Sequence, residues 1–508
     1  MSAVTLTRDS NQALGIAQFA LDFLAGKLGS GPSAAVLTRT EQFHTDSVLC
    51  GISALALQTN APTILREESL EYTDANGACV FGSKARVRSE RAIVANSSAV
   101  REWDSNGTNF GYNPALGHTA GEFGHNDFYP VVVAACQEFG HDGATALRMM
   151  VCLDEIRGRL AEVFSLKTYK IDHVVHGAIA SAAVYGALAG ATAEQIESAI
   201  GMSVAHYIPW RAIRAGKQLS DSKGASAALS TEAAVMSMKR AMRGFIGPKD
   251  IFRNPESMFR QFEKTTGDAP FDLVLSHSGD DFAVMGMHFK LGLYEHQSAG
   301  ALQAVISAVE ANPHLAKQGA ISKITIKAYE PAFGIIGDPA KRDPKTRQSA
   351  DHSMVFIVSR LIQRAVLAAD LIGGLDNDGL WKSLMLMPHD YHADAIFDAA
   401  TRETMAKIEF EHGGAEYDAK YPDGIPTSMI ITDQKGEQFD SGLVMYPAGH
   451  ARNTTADLVG ILAHKWKLMS DLAGTPDAVG KLSNLCGKSA ADMMELYNLS
   501  YTPKPGFE

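Results

Sequence analysis

The segment GAIASAAVYGALAGATA, residues 177–193, carries no charged side chain and is followed directly by Glu194. It is built from alanine and glycine rather than from leucine and isoleucine. This composition suits close packing between helices better than it suits a membrane span. The segment therefore predicts a buried helix that packs closely against its neighbours.

Helical patterns extend outward from this segment over the first half of the chain, up to about residue 275. Apolar residues in 13–28 recur at helical spacing. Thr192 and Gln195 form a capping-box pattern that opens a helix with Ile196 and Ile200 on one face. Because β-type alternation is hard to find here, we expect this half to be helical.

The pattern changes between about residues 282 and 452. Residues 321–329 alternate with period two, which places Ile324 and Ile326 on one side of a strand and Thr325 and Lys327 on the other. Further elements are predicted as strands at 407–411 and 427–432, a turn at 433–436 into a strand at 438–446, and a helix at 353–370. Helical spacing returns after residue 453, as in 458–472.

These patterns predict a mainly α protein with an α+β insert. The helical parts are expected in residues 1–281 and in the return segment 453–508. A smaller α+β domain comprises residues 282–452.

Composition excludes several function classes. The 46 Lys and Arg residues against 57 Asp and Glu residues give a formal net charge of −11. Nucleic acids and anionic membranes attract basic surfaces, so neither is an expected partner. An acidic chain that binds an anionic substrate must gather its cations locally.

The cysteines point to a reducing compartment. Cys50, Cys79, Cys136, Cys152 and Cys486 are scattered, odd in number and without C-x-x-C spacing. This distribution argues against a disulfide framework, a zinc ribbon and a cysteine-ligated iron–sulfur cluster. The first 15 residues have neither a secretory nor a transit pattern, so we expect a cytoplasmic protein.

The first cluster of chemistry-bearing residues lies in a glycine-rich stretch, residues 102–130. A proton-transfer site needs groups that titrate near neutral pH, on backbone that can bend to aim them. The neighbours of His125 are small or polar, so we expect an accessible ring. A polar loop that merely satisfies turns and caps is the alternative. The candidates are Asp104, Thr108, His118, Glu122, His125 and Asp127.

A second cluster supplies cations. Arg211, Arg214, Lys217 and Lys223 stand in one short, uneven stretch. Arginine can hold a carboxylate through two hydrogen bonds, so this stretch is a candidate carboxylate-binding loop. A solvated basic loop is equally compatible with the pattern.

A third cluster, Lys290 and His296, flanks an apolar turn where the helical half meets the insert. Domain junctions are preferred places for small-molecule sites. A core histidine is the alternative for His296. His173 and His176 are three residues apart and could share a helix face, but no third ligand is near, so we expect no metal.

In order and spacing, these segments resemble the MmgE/PrpD family, which comprises iron–sulfur-independent 2-methylcitrate dehydratases and their cis-aconitate decarboxylase relatives. The resemblance covers nearly the whole chain. The motifs that carry it are Asp46-x-x-x-Cys50-Gly, Asp104-x-x-x-Thr108, Gly124-His125, Ile171-Asp-His173, Arg211-x-x-Arg214 with Lys223, Phe289-Lys290 with His296, Ala350-Asp-His-Ser353 and Tyr446-Pro-Ala-Gly-His-Ala-Arg452.

The resemblance implies that both ends of the chain form one large helical domain and that residues 282–452 form a smaller α+β lid. It also implies an active site in the cleft between them, in a homodimer without a cofactor. The family often has a tyrosine where this chain has Phe356, and the loop at 432–436 is longer than usual. The family's site positions fall on Asp104, Thr108, His125, Lys223, Lys290 and His296, with His173 matching the dehydratase branch.

The implied reaction is the metal-independent dehydration of 2-methylcitrate or citrate, which belongs to propionate catabolism through the methylcitrate cycle. It needs cations that hold carboxylates, one base and one acid. Arg211, Arg214, Lys223 and Lys290 are the candidate cations. His125 and His296 are the candidate base and acid in either order, and Asp104 would orient or tune a histidine. The alternatives are a cis-aconitate decarboxylase, an epimerase of a small dicarboxylate and a non-catalytic helical interaction protein.

Overall fold

The computed structural model describes residues 2–214 and 218–507 and shows a mainly α-helical protein. Ten α-helices precede residue 270: α1 Gln12–Leu24, α2 Ala34–Ala56, α3 Asn60–Leu70, α4 Ser89–Arg101, α5 Tyr129–Phe139, α6 Gly143–Val163, α7 Val174–Leu188, α8 Ala193–His206, α9 Ser222–Met242 and α10 Met258–Phe262. The later helices are α11 Ala299–Ala311, α12 Arg347–Ala350, α13 Met354–Leu367, α14 Ala369–Ile372, α15 Asn377–Ser383, α16 Ala393–Ile396, α17 Ala399–Met405, α18 Gly414–Asp418, α19 Leu458–Ala473, α20 Ala478–Leu482 and α21 Ala490–Glu495.

Helix α7 is the buried helix predicted from the alanine- and glycine-rich segment, and all its residues are buried. It packs against α6, α8 and α9. A side chain at Gly177 would place its Cβ 1.9 Å from the ring of Phe128, and at Gly186 2.6 Å from Ile196. Such contacts are far closer than carbon atoms tolerate, so these glycines are required for close helix packing.

The predicted start of α8 is confirmed. The hydroxyl of Thr192 accepts the backbone N–H of Gln195, and the Gln195 side chain accepts the N–H of Thr192 in return. The two bonds satisfy donors that a helix start otherwise leaves unpaired.

The C-terminal segment returns to the first helices through a buried ion pair. Lys465 of α19 lies 2.8 Å from Asp46 of α2, and both side chains are fully buried. The indole N–H of Trp466 donates to the same carboxylate at 2.9 Å. The domain boundaries at 281 and 452 stay predictions.

A four-stranded sheet has the order β10-β9-β11-β12, in which β9 and β10 are parallel and the other pairs are antiparallel. The predicted strand at 438–446 is wrong in length, because continuous pairing with β11 stops at Asp440, Gly442 has a left-handed φ of 62°, and pairing resumes only at Val444 opposite Thr427. Its members are β9 Ile321–Ala328, β10 Ile408–His412, β11 Thr427–Asp433 and β12 Gln438–Asp440.

The other strands form two-stranded pairs within and around the helices. One of these pairs, β5 with β6, contributes to the candidate site. The strands are β1 Ala3–Leu6 with β7 Leu273–Ser276, β2 Gly31–Pro32 with β8 Ser278–Gly279, β3 Thr73–Cys79 with β4 Arg86–Val87, and β5 Thr108–Asn109 with β6 Gly124–His125.

Within the described residues, no single helix is long and apolar enough to cross a membrane. Among these residues, helices α2 and α3 have the length and composition of a membrane span only when they are taken together, and their axes are bent by 90° at the break between them.

Candidate active site

Asp104 lies at the centre of a buried charge cluster, immediately after α4. Its backbone is left-handed, with φ of 50°, and its side chain is fully buried. Arg101 and Lys290 both donate to its Oδ1 atom. Burial alone would raise the pKa of Asp104, but these two cations hold that pKa well below its usual range. Asp104 therefore stays ionised.

Lys290 donates to Oδ1 of Asp104 and also to its backbone carbonyl at 2.9 Å. The residues were predicted to meet although they are 186 positions apart. The structure brings them into direct contact.

A second carboxylate, Asp351, adjoins this centre. Lys223 lies 2.7 Å from its Oδ1, and His352 Nδ1 lies 2.6 Å from the same oxygen and 3.3 Å from Asp104 Oδ2. Burial, with the charge of Lys223, lowers the pKa of His352 to about 3. The imidazole of His352 is thus neutral at neutral pH.

His125 and His173 face each other with ring centroids 5.1 Å apart. His125 ends β6, which pairs with β5 through Thr108, and the Thr108 hydroxyl donates to the carbonyl of Gly124 at 2.8 Å. The expected accessible ring is wrong: His125 is 7% exposed because helices and the insert cover its loop. Burial and the nearby cations lower the pKa of His125 well below its usual range.

These histidines keep free acid–base atoms. Within the described residues, His125 Nδ1 and His173 Nε2 are buried without a hydrogen-bond partner. His176 points elsewhere and bonds the carbonyl of Phe164 at 2.9 Å, so it does not share a site with His173.

His296 is fully buried, and neither ring nitrogen has a partner among the described residues. Its ring stacks on His288, whose ring stacks in turn on His450. Burial lowers the pKa of His296 well below its usual range, and the charges of Lys290 and Asp104 reach it in opposite senses. His296 therefore lies at the edge of the Asp104 cluster.

The two predicted arginines differ. Arg214 bonds Asp172, the residue before His173, whereas Arg211 makes no side-chain hydrogen bond or ion pair with the described residues. Gly216 and Lys217 of the predicted loop lie outside the described residues. Lys223 is buried in its pair with Asp351, so it is not part of a solvated loop.

The polar-loop alternative holds for two candidates of the first cluster. His118 pairs with Glu162 at 2.9 Å, and Glu122 accepts the backbone N–H groups of Lys167 and Phe123. Asp127 accepts from Asn106 at 2.6 Å, behind Arg101.

Four residues near the site were missed as candidates. Arg101 precedes Asp104 by three positions on α4, and His352 stands in the Ala350-Asp-His-Ser353 motif, so both carried a usable signal. Burial raises the pKa of Glu295 to about 7 and lowers that of Lys341 to about 8. No sequence motif identified Glu295 or Lys341 as a candidate site residue.

The two carboxylates of the cluster and a neighbouring histidine are candidate metal ligands. Asp104, Asp351 and His352 are close enough together to share an ion. However, Arg101 and Lys290 bond Oδ1 of Asp104, and Lys223 bonds Asp351, so these three cations balance the charge of the carboxylates. A divalent ion there would be repelled by three adjacent cations, so these residues do not fit a metal.

Phe356, at the position of the family's frequent tyrosine, is fully buried and packs 5.7 Å from the ring of Tyr391. The Tyr391 hydroxyl donates to the carbonyl of Leu293. That hydroxyl is therefore already bonded.

The arrangement combines neutral, unpartnered imidazoles with buried cations. Neutral imidazole can accept a proton, and fixed cations stabilise charge that develops on a carboxylate. The geometry suits proton transfer beside a bound carboxylate.

Comparison with known proteins gives the class. The MmgE/PrpD N-terminal domain matches residues 16–269, half of the chain, and the chain therefore belongs to the MmgE/PrpD family. The 2-methylcitrate dehydratase of Salmonella typhi is 24% identical over 419 residues, 77% of each chain.

Two further relatives align over shorter lengths. The 2-methylcitrate dehydratase of Escherichia coli (strain K12) is 25% identical over 326 residues, 63% of this chain and 62% of that enzyme. The alkylcitrate dehydratase phiI of Fungal sp. (strain ATCC 74256) is 25% identical over 330 residues, 62% of this chain and 60% of that enzyme. The match thus spans less than two thirds of either enzyme. At family level the chain groups with dehydratases, which are lyases.

Proposed function

We propose that this protein is a hydro-lyase that removes water from a citrate-type tricarboxylate, with 2-methylcitrate or citrate as substrate. One observation carries the proposal: buried acid–base atoms of His125, His173 and His296 lack partners within the described residues, around a cluster of fixed cations. Buried polar atoms are nearly always bonded, so such a concentration of exceptions indicates a place for a polar ligand.

The proposed reaction begins with removal of a proton from the carbon beside a carboxylate. The C–H electron pair forms the new double bond, and the neighbouring C–O bond breaks. The departing hydroxyl takes a proton from an acid and leaves as water. One histidine gains a proton and another group loses one, so exchange with solvent restores both.

His125 and His296 are proposed as the base and the acid, in an order that the geometry leaves open. Both imidazoles are neutral in the empty site because burial disfavours their charged form. A bound polyanion would raise their pKa values, because opposite charge stabilises imidazolium. Binding itself would therefore prepare the histidines for proton transfer.

Lys290 and Lys223 are proposed to stabilise the negative charge that develops on the substrate, with Asp104 and Asp351 holding them in place. Lys290 bonds Asp104, and Lys223 bonds Asp351, so both ammonium groups are held in place before substrate arrives. Fixed charges need no reorganisation during the reaction, which makes them effective in a site that excludes water.

Substrate entry requires the site to open. Asp104, Lys290 and His296 are all fully buried. We therefore propose that residues 282–452 move as a lid, since Lys290 and His296 lie near the first boundary of that segment. Such closure excludes water and completes the catalytic set.

Incubation with a panel of acids tests the proposal. Purified protein is mixed separately with 2-methylcitrate, citrate and cis-aconitate, while ultraviolet absorbance reports the new double bond and a carbonate trap reports CO₂. We expect absorbance to rise with one of the two hydroxy acids, without CO₂. Release of CO₂ from cis-aconitate alone would identify a decarboxylase, and inactivity on all three acids would contradict the proposal.

A homodimer is proposed from the family resemblance, and a cytoplasmic location from the scattered, unpaired cysteines. Light scattering at micromolar concentration should give twice the mass of the 54.4 kDa chain. A mass equal to one chain would contradict the dimer.

A further inference from the structure

The buried and half-buried cations around the cluster fall into two groups. Four of them are neutralised by carboxylates in the folded protein. These pairs are Arg101 with Asp104, Lys290 with Asp104, Lys223 with Asp351, and Arg214 with Asp172.

Arg211 and Lys341 differ from these four. Among the described residues, neither side chain makes a hydrogen bond or an ion pair, and the Nη1 atom of Arg211 is buried. An unpaired guanidinium nitrogen inside a protein is costly, which makes it an expected position for an anion.

The two cations lie in two separate turns of the chain. Arg211 lies in the short 3₁₀ turn Arg211–Arg214, held by a backbone hydrogen bond from its N–H to the carbonyl of Lys170 at 2.8 Å. Lys341 ends the 3₁₀ turn Pro339–Lys341 of the insert.

Hydrogen bonds hold the segment after Lys341 against the helical half. Gln218 accepts the backbone N–H of Lys345 at 2.9 Å and donates to the carbonyl of Asp343 at 3.0 Å. Leu219 donates its N–H to the hydroxyl of Ser349 at 2.8 Å. These bonds hold residues 343–349, which follow the turn of Lys341, against residues 218–219, which follow the arginine turn in the chain.

Electrostatics agree with this juxtaposition. Burial lowers the pKa of Lys341, and the positive charges of Lys223 and Arg211 lower it further, while Glu295 opposes them. Lys341 thus lies within the field of the catalytic cluster. Burial raises the pKa of Glu295 to about 7, so its carboxyl group is only partly ionised at neutral pH and a weak counter-ion for Lys341.

We propose that Arg211 and Lys341 form a clasp for one carboxylate of the substrate, and that Lys341 is a specificity residue for tricarboxylates. This inference rests on the proposed function. The carboxylate would bridge the two cations and join the arginine turn to the insert. It would also supply the negative charge that the folded chain does not provide there.

Calorimetric titration with citrate tests the clasp apart from turnover. Lys341→Met should weaken citrate binding by roughly 10- to 100-fold, the worth of a charge-assisted hydrogen bond. Lys341→Arg, which keeps the charge, should stay much closer to wild type. Lys345→Met is the matched control, because Lys345 lies four residues on and is largely exposed. It should bind citrate like wild type.

Acids that lack one carboxylate of citrate distinguish a direct contact with Lys341 from long-range electrostatic attraction. Citramalate lacks one terminal carboxylate of citrate, and 3-hydroxyglutarate lacks the central one. If Lys341 holds one carboxylate, at least one truncated acid should bind wild type and Lys341→Met almost equally. Equal weakening for all three acids would overturn the clasp, because it would indicate only long-range attraction.

The remaining outcomes separate the two proposals. Citrate binding that depends on Lys341, in a protein that dehydrates none of the panel acids, would support the clasp and contradict the hydro-lyase. Dehydration by the wild-type protein, with citrate binding unchanged in Lys341→Met, would support the hydro-lyase and contradict the clasp. A wild-type protein that does not bind citrate would overturn the clasp.

Discussion

Two ion clusters are each built around a buried arginine with carboxylate partners. They differ in how many of their polar atoms are hydrogen-bonded. In the first, Arg159 donates to Glu155, Glu162, Asp281 and Ser276 through all its nitrogen atoms. In the second, Arg101 bonds Asp104 through Nη1, whereas its Nε and Nη2 atoms have no hydrogen-bond partner among the described residues.

The carboxylate partners of the two arginines differ in the same way. Glu155 also accepts the backbone N–H groups of Ser276 and Ala283. Asp104 Oδ2 has no hydrogen bond within the described part of the chain. A complete network stabilises a fold, whereas an incomplete one leaves polar groups for a ligand. The central arginines of both clusters are fully buried, so completeness and not burial of the arginine distinguishes the candidate site.

The largest expected effect compares two histidines of one loop. His125→Gln should lower kcat by roughly 10²–10⁴-fold, because glutamine can form hydrogen bonds but cannot shuttle a proton. His118→Gln is the matched control, since His118 belongs to the complete cluster through Glu162. Steady-state kinetics should show nearly normal kcat for the control.

Circular dichroism must show that both histidine variants are folded. A folded His125→Gln enzyme that retains more than about a tenth of wild-type kcat would remove His125 from the mechanism.

The next effect concerns stability rather than activity. Arg159→Met leaves buried carboxylates without their cation and should lower the free energy of unfolding by about 3–5 kcal/mol. Urea denaturation measures this loss, and Arg159→Lys should lose less because it keeps the charge. The folded fraction of either variant should keep the wild-type kcat. A selective loss of kcat would mean that the complete cluster also serves the reaction.

The sequence predicted the helical elements and much of the site, because both depend on local patterns. The 177–193 segment became α7, and period-two alternation located β9. The pair of Asp104 with Lys290 was expected from family motifs, since no local pattern links positions so far apart.

What the sequence did not predict depends on tertiary packing. The buried state of His125 follows from elements that cover its loop from a distance. The altered pKa values of Glu295 and Lys341 also come from burial, which neighbouring residues in the chain do not reveal. The shorter β12 reflects the left-handed backbone at Gly442, which alternation alone did not mark.

A smaller effect should appear on acidification. His352 has an ordinary pKa of 6.5, and burial lowers it to about 3 in the folded protein. Below pH 6.5 the unfolded chain binds a proton that the folded chain excludes. This contribution to stability is therefore complete above pH 6.5 and is lost as the pH falls toward 3.

His352→Asn should reduce the pH dependence of unfolding by up to about 1.4 kcal/mol per pH unit between these limits. Urea denaturation between pH 6 and pH 4 measures it, with the exposed His206→Gln as control. An unchanged slope in His352→Asn would show that this histidine is charged in the folded protein.

The smallest expected effect is that of chelation. Because Arg101, Lys290 and Lys223 occupy the carboxylates of the incomplete cluster, activity should survive EDTA unchanged. Assays before and after dialysis against the chelator measure this. Loss of activity that iron or zinc restores would contradict the assignment of these carboxylates to cations of the chain.

The central claim is that the incomplete cluster is the binding site of a citrate-type acid. A crystal structure of His125→Gln soaked with 2-methylcitrate tests it most directly. We expect one carboxylate of the bound acid about 3 Å from Arg211 and Lys341, at hydrogen-bond distance. The hydroxyl-bearing carbon should face Gln at position 125 or His296. Ligand bound instead in the surface groove of about 600 Å³ that includes Arg88, Lys239 and Arg243, with the Asp104 cluster unchanged, would contradict it.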